Sequence, residues 1–467
     1  ELKRDDLDIA LLHHHGGPEA QYLDGMPEVR SIPDEIEDVK FYLRSKLRDA
    51  GDSEDKRKAV RENYMKTYGV PESWFDLTFD PEQIKKDSTF NADLDIYVED
   101  LQYYSSSARF IMLDACFTGS FHLDNYLSGN YIFDEGKTIA LQANTVNVIQ
   151  DKWPDEMAGL LGLGMRVGFW NKMNCYLETH IIGDPTFAFM PVGKGTDIND
   201  WLFTGKNNPA WWKKQLSSPY ADVQALSLRM IFEKEGISAA PLLLEKFKTS
   251  RFFAVRTEAL KLLSFCRGPQ FIEAVNLGIS DTYELIRRLS AIMIGNSGDP
   301  AHIPFMINTL LKNNVSKRVE YDLKTSLGMF DKKLLLEELE KQLPEKEYLL
   351  HPGETGKNLA KTIEYNCSRY EQDVAELLSE KTTKKDKLFS LRNFRNMTVH
   401  QHLDQLIQFI KITPDADLKL AAVEMLGWFD QSWQRDKIIA FCDEELKQKE
   451  LPDKYRNEVL KTKNRLQ

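Results

Sequence analysis

Two short apolar runs in this chain each end on a side chain that can do chemistry. The first, Asp8-Ile9-Ala10-Leu11-Leu12-His13-His14-His15-Gly16-Gly17, ends on imidazoles followed by paired glycines. The second, Phe110-Ile111-Met112-Leu113-Asp114-Ala115-Cys116-Phe117-Thr118-Gly119, ends on a thiol. A thiol attacks a carbonyl as thiolate, so acyl transfer at a cysteine needs a base beside it, N–H donors for the oxyanion and little bulk around both. His15 is the candidate base and Cys116 the candidate nucleophile. Gly16 and Gly17 let the backbone approach a substrate and adopt positive φ, and the amides of Gly16 and Cys116 are the candidate oxyanion donors. Asp114 precedes Cys116 by two residues, shares its side of the strand, and so brings a carboxylate toward the same site.

These groups meet only if the fold joins segments 101 residues apart. Each run carries at least four apolar residues without polar alternation, which suits a strand covered on both faces of a mostly parallel sheet. In open α/β sheets ligands bind beyond the carboxyl ends of the strands, so a His and a Cys leaving two such strands face one crevice. Strands are expected at Ile9 to His13, Phe110 to Leu113, Thr138 to Leu141 and Thr186 to Met190, making residues 1–200 an α/β domain. The long connection from Ser31 to Ser107 holds two charged, helix-prone stretches, Asp34 to Asp49 and Ser53 to Tyr68, and reads as a helical insertion of about 31–107.

After Trp201 the pattern becomes one of repeated amphipathic helices. Val223 with Ser227, Val255 with Ala259 and Ile286 with Ser290 repeat an aliphatic residue followed four positions later by a small one, at spacings of 32 and 31. Val319 follows, with Leu323 in place of the small residue, and Leu418 with Ala422 forms a later copy. Residues four apart stack on one helix face, and a small side chain there admits a close partner helix. Residues 201–345 and 346–467 are therefore expected to form two blocks of helical repeats, joined by a loop from Lys341 to Lys357. The segments resemble HEAT repeats, and the resemblance implies an all-α solenoid whose concave surface binds a protein partner. Trp201, Trp211 and Trp212, near the change of pattern, read as core packing.

Composition narrows the function classes. The 61 Lys and Arg against 72 Asp and Glu leave a formal charge of −11, which argues against nucleic acid as the main partner. No run of about eighteen apolar residues is present to span a bilayer as a helix. Cys116, Cys175, Cys266, Cys367 and Cys442 are odd in number and scattered, matching neither a disulfide framework nor paired metal-ligand spacing. His13 and His15 share a strand face while His14 points away, and nothing nearby completes a tetrahedral metal site, so no metal or other cofactor is expected. His122 and His180 are read as a solvated turn residue and a structural one.

The two strand ends resemble the caspase-like superfamily of cysteine peptidases, which carries an apolar block then His-Gly and a second apolar block then Cys. The gingipain-like family within it is the nearest resemblance, extending to Gly136-Lys137-Thr138-Ile139-Ala140-Leu141-Gln142-Ala143-Asn144-Thr145 and Ile182-Gly183-Asp184-Pro185-Thr186-Phe187. It covers about residues 5–192 and implies a caspase-like α/β fold with His15 as general base or acid and Cys116 as nucleophile. Asp-x-Cys members such as clostripain-like and metacaspase-like enzymes use the acid to receive a basic P1 side chain, which implies cleavage after Arg or Lys through Asp114. The fold carries two strands before the one ending in His, and these do not fit in Glu1 to Leu7, so an upstream segment is expected to be missing. Export is common in the family, implying an extracytoplasmic location. The sequence thus predicts a cysteine endopeptidase acting on protein or peptide substrates, the alternative being a non-catalytic pseudo-peptidase that serves as an interaction scaffold.

Overall fold

The computed structural model describes residues 4–23, 25, 31–133, 135–148, 153, 155–174, 179–192, 197–205, 208–312, 316–346 and 348–467. The chain divides into two units, Glu1–Phe203 and Thr204–Gln467. Among the described residues no helix is long and apolar enough to cross a membrane.

Among the described residues, seven strands lie in the first unit: β1 (Ile9–His13), β2 (His15–Gly16), β3 (Ala20–Tyr22), β4 (Ile96–Tyr97), β5 (Phe110–Asp114), β6 (Ala140–Asn144) and β7 (Thr179–Gly183). The main sheet is small and mixed, in the order β1-β5-β6-β7, with the first three strands parallel and β7 antiparallel at the edge. β2, β3 and β4 form a separate antiparallel sheet. The two inner strands, β5 and β6, are covered on both faces, as the unbroken apolar run of β5 requires. On one face Ala10, Ile111, Leu113, Leu141 and Ala143 pack with Val98, Leu101, Leu127 and Tyr131. On the other, Phe110 meets Trp170 edge to face at 5.7 Å, and Gln142 donates to Asn171 at 2.7 Å. β1 is an edge strand here, with Ile9 and Leu11 exposed on the Phe110 side.

Two strands sit elsewhere than the sequence predicts. β6 begins two residues later, at Ala140, and Thr186 to Met190 is not a strand at all; the antiparallel strand is β7, on the other side of Gly183-Asp184-Pro185. The chain turns here because Gly183 has φ +101° and the Asp184 carboxylate accepts from the Thr186 amide at 2.8 Å, folding the backbone onto itself. The sheet is correspondingly mixed rather than all parallel.

The insertion is helical, with Ile32–Asp49 and Glu54–Tyr68 as expected and a third helix, Pro81–Asp93, that the sequence reading omitted. Ser31, Ser53 and Asp80 cap the three N-termini. The apolar core here is slight, Leu43, Leu47 and Phe75 with a few partly buried neighbours, so a polar hub supplements it. Burial tends to raise the Asp87 carboxyl, but hydrogen bonds from Arg44, Arg48 and Gln83 outweigh it and hold the group down to about 2.

Among its described residues the second unit has helices and no strand, and it is repeat-like. Ala221–Glu235, Phe253–Cys266, Glu284–Ser297 and Lys317–Leu327 stack in order, the first three each followed by a shorter second helix and the last by one of equal length. Val223, Val255, Ile286, Val319 and Leu418 are all buried, and so are Ser227, Ala259, Ser290, Leu323 and Ala422 four positions on. Successive repeats are tied by Arg229 to Glu258 and by Arg256 to Asp281, each through two hydrogen bonds of 2.7 and 2.8 Å. The expected loop from Lys341 to Lys357 is shorter than read. A 27-residue helix begins at Pro352, because proline suits the first helical turn, whose N–H has no partner to lose. The remaining helices close around a second core that includes Phe394, Phe429 and Phe441. Trp212 is buried within this unit and donates Nε1 to the Gly205 carbonyl at 2.8 Å.

Candidate active site

The parallel pairing of β1 with β5 sets the site. Its register places Ile9 beside Phe110 and runs without slip to His13 beside Asp114. At the entry end Arg109 donates to Asp8 at 2.6 and 3.0 Å, and at the exit end His13 Nδ1 lies 2.5 Å from Asp114 Oδ2. The ladder is therefore clamped at both ends, and the residues that follow, His14 to Gly17 and Ala115 to Gly119, leave it side by side. Gly16 confirms the proximity: a Cβ there would stand 2.9 Å from both the Ala115 Cβ and the Cys116 carbonyl oxygen and 2.8 Å from Thr118 Cγ2. Only glycine fits so close an approach. His15 and Cys116 are thus carried on adjoining backbone just beyond the carboxyl ends of β1 and β5, His15 opening β2 of the second sheet rather than closing the apolar strand as the sequence predicts.

The turn holding Cys116 is fixed from several sides. Phe117 has φ +56°, a left-handed conformation uncommon outside glycine, held because its amide donates to Val146 at 3.2 Å and the Gly119 amide to Asn144 at 2.8 Å. Gly119 is forced by a close approach, since a Cβ would stand 2.9 Å from Ala143 Cβ and 3.0 Å from its carbonyl carbon. Asn144 Nδ2 donates to the Ala115 carbonyl at 3.1 Å, and Thr179 donates to Asn144 Oδ1 at 2.8 Å, linking β7 to the turn. The thiol is half-buried. Its sulfur accepts from the Val148 amide at 3.3 Å and lies 3.8 Å from the Val148 carbonyl, and none of its hydrogen bonds runs to His15.

The three histidines have three separate environments. His15 is exposed. His13 is exposed and held by Asp114. His14 turns inward: its Nδ1 donates to the His15 carbonyl at 2.6 Å and its Nε2 accepts from Gln21 at 2.7 Å, while Gln21 in turn accepts from the Tyr131 hydroxyl at 2.6 Å. Burial lowers the His14 pKa, in keeping with this neutral tautomer. The buried chain from Tyr131 through Gln21 to His14 fixes the carbonyl of His15 and so orients the candidate base's own backbone.

The Asp114 carboxylate is not an open receptor, because His13 occupies Oδ2, and Cys116 lies in the turn beyond the end of β5, where the strand's alternation of sides no longer applies. The pairing escaped the sequence reading, although aligning the two equal apolar runs end to end sets His13 opposite Asp114. Gln21, Tyr131 and Val148 also escaped it, since nothing in their local patterns marks them. His122 is exposed, and His180 on β7 bonds to Thr145 at 3.1 Å and meets Phe121 edge to face. Cys175 lies outside the described residues.

No protein-family model matches the chain, and no curated protein matches it. Among solved structures, human deoxyhypusine hydroxylase in complex with glycerol aligns at 15% identity, over 49% of this chain and 96% of that one, with a TM-score of 0.21.

Proposed function

We propose that the chain is a cysteine endopeptidase in which Cys116 attacks the scissile carbonyl and His15 shuttles the proton, on a caspase-like α/β unit of the gingipain-like kind, with the HEAT-like helices engaging a protein partner. The single observation that carries this reading is the close packing of Gly16 against Ala115 and Cys116, which brings the His15 and Cys116 backbones together from positions 101 residues apart. Three parallel strands and an antiparallel edge strand supply the scaffold, with both reactive residues on the segments that leave the carboxyl ends of β1 and β5. In the proposed reaction His15 takes the thiol proton, the sulfur adds to the carbonyl carbon, and backbone amides of Gly16 and Cys116 receive the developing oxyanion. His15 returns the proton to the leaving amine, and water then hydrolyses the thioester. Asp114 receives an Arg or Lys side chain at P1 once His13 is displaced from it.

The reading is tested by a peptidyl chloromethyl ketone carrying Arg at P1. The Cys116 thiolate displaces chloride and forms a thioether. An adduct mapped to Cys116 that disappears in His15→Ala supports the dyad. An adduct formed equally without His15 points instead to the scaffold alternative, with an ordinary accessible thiol.

A further inference from the structure

Three shielded arginines of this chain, Arg44, Arg229 and Arg256, are each matched to a carboxylate through two hydrogen bonds, to Asp87, Glu258 and Asp281. Arg267 and Arg435, in the helical unit, are not. Arg267 donates Nη1 to the Leu466 carbonyl at 3.0 Å, its Nη2 lies 3.8 Å from Asp430, and its Nε is buried without a hydrogen-bond partner. Arg435 Nε is 3.7 Å from the exposed Asp436 and is also without a hydrogen bond. The two side chains are only 15% and 25% exposed. Burial first, and then the charge of Arg435, disfavour the cationic form of Arg267, against which the Asp430 charge acts. Shielded cations without a matched anion are costly, and a bound anion removes that cost.

Both arginines line one cavity of about 640 Å³, within the range of small-ligand sites. Gly268 and Pro269 line it too, and they open the ten-residue helix Pro269–Gly278, whose N-terminus has no side-chain cap and so adds a positive dipole end. Arg267 itself sits in the left-handed region, φ +56°, at the end of helix Phe253–Cys266, where glycine is the usual choice. The acidic groups on the wall are otherwise engaged or solvated: Asp299 accepts from the Ala301 amide at 2.8 Å, Glu273 is paired with Lys248, and Asp436 is 91% exposed. Phe271, Phe305 and Trp433 supply apolar wall.

We propose that this cavity binds a small organic anion, its carboxylate or phosphate held by Arg267 and Arg435 and its apolar body against Phe271, Phe305 and Trp433. The charge-assisted fork supplies recognition of the anion, and the aromatic wall supplies preference for a ligand with an apolar body. This is independent of any chemistry at Cys116.

The test is calorimetric titration of the full chain with benzoate, phenyl phosphate, inorganic phosphate and neutral benzamide. The expected result is one site for benzoate, phenyl phosphate or both, weaker binding of inorganic phosphate and none of benzamide; comparing the first two tells carboxylate from phosphate. Arg435→Gln should weaken binding by about tenfold or more, the loss of one charge-assisted contact. Arg267 also holds the Leu466 carbonyl, so Trp433→Leu is the second variant; it should weaken phenyl phosphate while leaving inorganic phosphate unchanged. Benzamide binding as well as benzoate, neither aromatic anion binding, or full affinity in a folded Arg435→Gln protein would overturn the proposal.

Discussion

His13 and Asp114 stand opposite each other in the last register pair of β1 and β5, with Nδ1 and Oδ2 2.5 Å apart. The Asp114 side chain is 11% exposed and that of His13 48%, so solvent reaches the pair from the imidazole side. A basic substrate side chain that uses Asp114 therefore competes with His13. We expect His13→Ala to raise kcat/KM for Arg and Lys substrates several-fold with little change for Leu, and Asp114→Ala to erase the preference for Arg and Lys over Leu. Steady-state kinetics on matched peptides reads both. An unchanged preference in Asp114→Ala would remove Asp114 from substrate recognition.

Thiol reactivity is expected to be unequal. Burial pushes Cys367 and Cys442 up to about 12 and raises Cys266, so these sulfurs stay protonated and unreactive near neutral pH. Iodoacetamide at pH 7, followed by peptide mapping, should label Cys116 well before those three. Equal labelling of Cys116 and Cys367 would mean that the turn does not present its sulfur.

Acid should loosen the helical unit before it reaches the carboxylates. Burial lowers His302 to about 4, and His400, fully enclosed, to about 4 as well. In its neutral form His400 donates Nε2 to the Gly295 carbonyl at 2.9 Å and accepts at Nδ1 from the Ser432 hydroxyl at 2.8 Å. Between the unfolded value of 6.5 and about 4 the unfolded chain binds more protons, so stability falls as pH falls through that window, by up to about 3 kcal/mol for each histidine. Urea midpoints measured from pH 7 to pH 4 should decline accordingly, and His400→Gln should flatten part of the decline. A midpoint independent of pH over that range would contradict it.

The repeat positions make a packing prediction. Ala259 is buried where helix Phe253–Cys266 meets its neighbours, so Ala259→Leu should destabilise the helical unit by about 1–3 kcal/mol through overpacking. The same change at Ala421, which is only partly buried, should cost less. Chemical denaturation of both variants checks the order.

The sequence was most legible where one physical demand dominated. Unbroken apolar runs marked β1 and β5, although only β5 is buried along its whole apolar run, and the small residues four positions after Val223, Val255 and Ile286 marked the stacked helices, whose packing buries them. β7 was misplaced across Gly183-Asp184-Pro185 because Thr186-Phe187-Ala188-Phe189-Met190 has strand-like composition, while the turn that excludes it is made by one aspartate side chain and a positive φ. Helix Pro81–Asp93 was passed over because its polar composition hides that Asp87 is the anchor for Arg44 and Arg48. At the site, residue types named Cys116, His15 and Asp114, but partners set by register and long-range packing, His13 for Asp114 and Val148 for the thiol, appear only once the strands are paired.

The most direct measurement of the central claim is hydrolysis of a panel of peptides with Arg, Lys, Leu or Asp at P1 by this chain, by Cys116→Ala and by His15→Ala, each verified as folded. The account predicts cleavage after Arg and Lys that both substitutions abolish. Absence of cleavage by the unmodified chain, or cleavage that survives loss of the Cys116 thiol, would contradict it.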